Sequence, residues 1–85
     1  MSFKDEFLYD FAVHMPRVLV CGNTGIIDNV KKIVLVSTDQ IVVDNGKKFT
    51  AVSGRNLIIK EIADERMMVE GEIKEIQFYG ASEEN

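Results

Sequence analysis

Side chains able to do chemistry are scarce in this chain of 85 residues. Its one histidine, His14, and its one cysteine, Cys21, stand on either side of Pro16. A metal centre needs three or four such ligands at set spacings, and a nucleophilic thiol needs a base held beside it. Neither constellation is present, so Cys21 reads as a small core residue within an apolar strand and His14 as a surface or helix-end residue. The carboxylates Asp28, Asp39, Asp44, Asp64, Glu65, Glu70, Glu72 and Glu75 fall at turns or on the polar parity of extended segments, where β proteins carry charge. Paired-carboxylate hydrolysis would also need a cleft, and no aromatic-lined one accompanies them. Gly22-Asn23-Thr24-Gly25 has the glycines of a phosphate loop without its lysine or its following helix, and reads as a tight turn. No catalytic residue, metal site or cofactor is therefore expected.

Composition narrows the partners. Fourteen acidic residues against ten basic ones give a net charge of −4, and the basic residues occur singly or as pairs such as Lys31-Lys32 and Lys47-Lys48. A nucleic-acid groove needs Lys and Arg gathered on one face beside stacking aromatics, so nucleic acid is not an expected partner. Apolar runs of about five residues fall far short of the roughly 18 a membrane helix needs, and a single cysteine suits a reducing cytoplasm. Direct membrane insertion is not expected. A domain this small hides only about 60–65% of its unfolded surface, and Cys21 has no partner for a disulfide. Association with another chain is the expected supplement, with a homo-oligomer as its simplest form.

The elements split at Pro16. Phe3, Phe7, Leu8 and Phe11 recur at helical spacing, with Ser2 as N-cap and Asp5 and Glu6 in the first turn, which predicts a short amphipathic helix over residues 1–14. Its phenylalanine face must dock, either on the molecule's own sheet or across a boundary with a partner. Beyond the proline the period becomes two. Extended segments are expected at 17–21, 26–30, 33–37, 40–44, 47–53, 56–62, 66–71 and 72–79, and Asn45-Gly46 is the strongest hairpin signal, read as a type I′ turn. Residues 80–85 read as a flexible acidic tail.

The expected fold is all-β: a small antiparallel β-sandwich or barrel-like meander of about seven to eight short strands over residues 15–79, preceded by the helix. Met67, Val69, Gly71 and Ile73 share one parity and Ile76 and Phe78 the other, so a β-bulge at Lys74-Glu75 is required for both sets to face one core. The adjacent Met67 and Met68 point to opposite faces and cannot both be buried there. Phe3, Phe7, Phe11, Met67 and Met68 are accordingly the candidate partner contacts. The inward parity is almost wholly apolar, which favours a filled core over a small-ligand-binding β module.

The string VSGRNLII from Val52 to Ile59, followed by VEGEIKEIQF from Val69 to Phe78, resembles the conserved half of the YabP/YqfC family of bacterial sporulation proteins. Met15-Pro16-Arg17, the turn at Gly22 and Ile27-Asp28-Asn29 are closer to the YqfC branch. The likeness runs from about Met15 to Tyr79 and rests on apolar strand positions and glycines; Asn29 is its one polar position beyond them, read as local backbone bonding. The resemblance implies a non-enzymatic β protein of endospore-forming bacteria. It would act in spore assembly or maturation from the mother-cell cytoplasm, with a membrane-bound sporulation protein as partner. The phenylalanine-rich front end is not part of the family's motif.

Overall fold

The computed structural model describes residues 16–80. The helix expected over 1–14, with Phe3, Phe7 and Phe11, lies outside the described residues, as does the chain beyond Gly80. Every regular element within them is a strand: β1 (Arg17–Cys21), β2 (Thr24–Asp28), β3 (Lys32–Val36), β4 (Gln40–Asp44), β5 (Lys48–Ala63) and β6 (Arg66–Gly80). They form one antiparallel sheet in the order β1-β2-β6-β5-β4-β3, open at β1 and β3. The fold is all-β as expected. Among the described residues there are six strands rather than seven or eight, and the sheet they form does not close into a barrel.

The miscount has one physical source. The segments expected at 47–53 and 56–62 run on through Gly54 as one strand, and those at 66–71 and 72–79 run on through Gly71 as another. At Gly71 the backbone has φ +141°, and a Cβ there would lie 2.6 Å from the Asn56 carbonyl oxygen. At Gly54 a Cβ would collide with the Glu72 carbonyl. These glycines mark a place where β5 and β6 cross in backbone contact. Around the crossing the register shifts three times, between Ser53 and Gly54, between Arg55 and Ile58, and between Ile59 and Glu61. Bulges increase twist and bend the strands that carry them. One is the bulge expected at Lys74-Glu75: Ser53 pairs with Glu75 and Gly54 with Ile73, which leaves Lys74 as the extra residue. Met67, Val69 and Ile76 then serve the same core, while Phe78, expected beside Ile76, is 49% exposed near the end of β6.

Bending divides each long strand between two layers. The first part of β5 pairs with β4 and with the end of β6, while its last part pairs with the start of β6, which in turn pairs with β2. The link from β2 to β3 shows that the sheet folds over. Only residues 29–31 separate these strands, a reach of about 14 Å from Asp28 to Lys32. In a flat sheet they would stand four strand spacings apart, about 19 Å. Folding brings Ile27 of β2 into one buried cluster with Ile41 and Val43 of β4, Val52 and Leu57 of β5, and Met67 and Val69 of β6, with Val30 from the link itself. Every side chain in this cluster is apolar.

Polar contacts pin the fold where apolar packing cannot. Asn45, fully buried, donates from Nδ2 to the Asp28 and Asn29 carbonyls, both at 3.1 Å, and so ties the β4–β5 hairpin to the β2–β3 link. Asn29 takes φ +61°, the left-handed region that asparagine tolerates. Hairpin tips clasp the crossing: the Gly54 and Leu57 amides donate to Asp39 and Thr38, and the Gly71 amide to Asn23.

One turn departs from the chemistry expected of it. In the β4–β5 hairpin the Asn45 amide donates to the Lys48 carbonyl, so Gly46-Lys47 forms the loop, and of these only Gly46 has positive φ. This is the II′ pattern, not the I′ turn expected at Asn45-Gly46, because the Asn45 side chain is needed in the interior. The turn with two positive φ angles is Asp64-Glu65, at +54° and +62°.

Candidate interaction surfaces

Three surfaces carry the features that could bind something: the outer face of β1, β2, β6 and β5, and the two sheet edges. Strand register builds the first. Val18 pairs with Ile27 and Ile27 with Met67 on the core side, so their neighbours turn outward in rows across the strands. One row holds Arg17, Asp28 and Arg66; the next holds Leu19, Ile26, Met68 and Glu61. In the first row Asp28 is clamped between two arginines. Arg66 Nε donates to Asp28 Oδ1 at 2.6 Å, and Arg17 approaches Oδ2 at 3.5 Å. The hydrogen bond from Arg66 to Asp28 and the charge of that carboxylate push the Arg66 guanidinium above its ordinary range.

Beside this row opens a groove of about 520 Å³, whose polar lining includes Arg17, Asp28, Glu61, Asp64 and Arg66. It lies on the outside of the sheet, away from the filled interior. Its central carboxylate is neutralised by the arginines, and Glu65 is bound by Lys31 at 2.7 Å. Among the described residues no group of three or more His, Cys, Asp or Glu side chains could hold a metal ion.

The edges differ from each other. β1 exposes Leu19 and Val20 while Val18 packs against the core, and it starts just after Pro16, which has no N–H to donate. In β3 all five residues are exposed, among them the four apolar residues Ile33, Val34, Leu35 and Val36. The Ser37 amide donates to the Gln40 carbonyl, and Val36 stands opposite Ile41. Antiparallel strands aim successive N–H and C=O groups to alternate sides, so those of Val36 face the open edge.

The candidate contacts separate on this structure. Met67 is 0% exposed and sits in the core, so it presents nothing to a partner. Met68 occupies the outer face beside Ile26, as opposite parity requires. Phe3, Phe7 and Phe11 lie outside the described residues. Cys21 is exposed at the end of β1 rather than buried in the core, because β1 is an edge. Sequence reasoning missed the Arg17–Asp28–Arg66 row, which joins residues 38 positions apart through a strand order that local periodicity does not carry. It also missed β3 as an edge, although apolar residues at both parities beside Lys31-Lys32 were a visible signal.

A folded-over, open antiparallel sheet with a filled core and apolar edges defines a small all-β domain. No described helix is long and apolar enough to cross a membrane. Comparison of the chain with known protein families, with curated proteins and with solved structures finds no match.

Proposed function

We propose that this chain is a non-catalytic sporulation protein of the YabP/YqfC type, closer to the YqfC branch, and that it works in spore assembly or maturation by associating with other protein chains. The observation that carries the reading is where the two resembling strings lie. Residues 52–59 and 69–78 run side by side in β5 and β6, and each contributes one of the crossing glycines, Gly54 and Gly71. The shared pattern therefore has a steric reason. It includes two positions where a side chain would collide with the backbone of the facing strand. A filled interior and exposed apolar edges support association rather than turnover of a substrate.

The partners on this reading are further copies of the chain and a membrane-bound sporulation protein, met from the mother-cell cytoplasm with no insertion of this chain into the bilayer. A deletion strain of the endospore-forming source tests it. The expected result is normal vegetative growth with a block in spore maturation, together with capture of a membrane-bound sporulation protein by the tagged chain. Unimpaired spores and equal expression in growing cells would contradict it.

The groove beside Asp28 gives a small-ligand-binding module its one foothold. Thermal-shift screening against nucleotides, sugars and lipids tests that alternative, since a ligand at ~100 times its dissociation constant adds about 2.7 kcal/mol.

A further inference from the structure

We propose that β3 is a self-association edge, pairing antiparallel with β3 of a second copy about a two-fold axis near Leu35 to join two sheets into one. This rests on the association reading above and names its surface. Three observations carry it. The first is exposure: Ile33, Val34, Leu35 and Val36 form a run of exposed apolar residues on a strand with one side unpaired among the described residues, and Val36 is 53% exposed. The second is the open backbone of Val36, whose N–H and C=O find no partner across β4.

The third is charge. The segment begins with Lys31-Lys32 and ends with Asp39. Antiparallel pairing about Leu35 sets Lys31 of one copy across from Asp39 of the second, with Lys32 beside it across from Thr38. Among the described residues Asp39 is in no ion pair, and Lys31, which also contacts Glu65 at 2.7 Å, would be shared between the two carboxylates. Parallel pairing would stack lysine on lysine. A two-fold arrangement makes each contact twice and closes after two copies. The register shift between Ile33 and Leu35 leaves Val34 as an extra residue. Such bulges twist an edge away from long pairing, so the ladder is short and the product is a dimer rather than a fibre. The other edge lacks this polarity: no acid stands at the far end of β1.

Light scattering after size exclusion, across a concentration series of the full chain, tests the proposal. Wild type is expected at twice the 9.6 kDa chain mass. Val36→Pro removes only an N–H that faces outward, so it keeps the β3–β4 ladder, and it is expected to weaken the dimer about tenfold or more because the loss is felt twice. Lys31→Glu and Asp39→Lys reverse the facing charges without touching the backbone: each alone should weaken association, and the two together should restore it. A wild-type chain that stays monomeric overturns the proposal. An oligomer unaffected by Val36→Pro and by all three charge variants also overturns it, while leaving association through another surface in place.

Discussion

The Thr50 hydroxyl donates to Asn45 Oδ1 at 2.6 Å, and both residues are 0% exposed. The same asparagine gives both its amide hydrogens to the Asp28 and Asn29 carbonyls, so one side chain joins three segments that hydrocarbon packing alone would leave free to slide. Replacing Asn45 with Ala strands two carbonyls and one hydroxyl, with an expected loss of about 2–4 kcal/mol. Thr50→Val keeps shape and removes one bond, with a loss of about 1–2 kcal/mol. Urea denaturation reads both from the midpoint at constant slope. Equal, small losses would show that the network does not hold the link.

The crossing of β5 and β6 predicts a graded glycine series. Gly71→Ala meets the Asn56 carbonyl oxygen at 2.6 Å in a conformation foreign to L side chains, and should cost about 3 kcal/mol or more. Gly54→Ala meets backbone too and belongs with it. Gly22→Ala has φ +62° but open space around it, and should cost only about 1 kcal/mol. Thermal unfolding of the three variants ranks them. A Gly22→Ala chain as damaged as Gly71→Ala would contradict the steric account.

Asp64 and Glu65 both occupy left-handed conformations without being glycine. Asp64→Asn with Glu65→Gly supplies the residues a type I′ turn prefers and should stabilise the domain by about 1 kcal/mol, less whatever the exposed Lys31–Glu65 pair contributes. Denaturation at low and high salt separates the two effects.

The Arg66–Asp28 pair gives a pH and salt prediction. Because the arginine is raised in the folded state, its contribution is fully present below the guanidinium's ordinary range and is lost only as pH climbs past the raised value. Arg66→Gln should therefore lower the melting temperature by the same amount at pH 7 and pH 9, and by less in 1 M salt, which screens exposed charge. A difference that grows between pH 7 and pH 9 would contradict this assignment.

Legibility followed the range of the interaction. The bounds of β1 and β4 and the bulge at Lys74-Glu75 were readable, because parity and apolar spacing are local and depend only on the pleat. Gly54 and Gly71 stood out in the sequence, but a glycine for a turn and a glycine for a backbone crossing look alike until the partner strand is known. The surfaces were less legible still. Arg17, Asp28 and Arg66 become neighbours only once β2 lies against β6, and the segment 33–37 reads as a strand whose place at the sheet edge is set by a strand order that local pattern only hints at.

Residue-resolved hydrogen exchange on the full chain, at concentrations spanning about two orders of magnitude, tests association through β3 most directly. The expected result is a Val36 amide that exchanges quickly when dilute and slows as concentration rises, while Leu19 and Val20 on the opposite edge do not change. Val36 exchange independent of concentration, or protection gained at β1 instead, would contradict it.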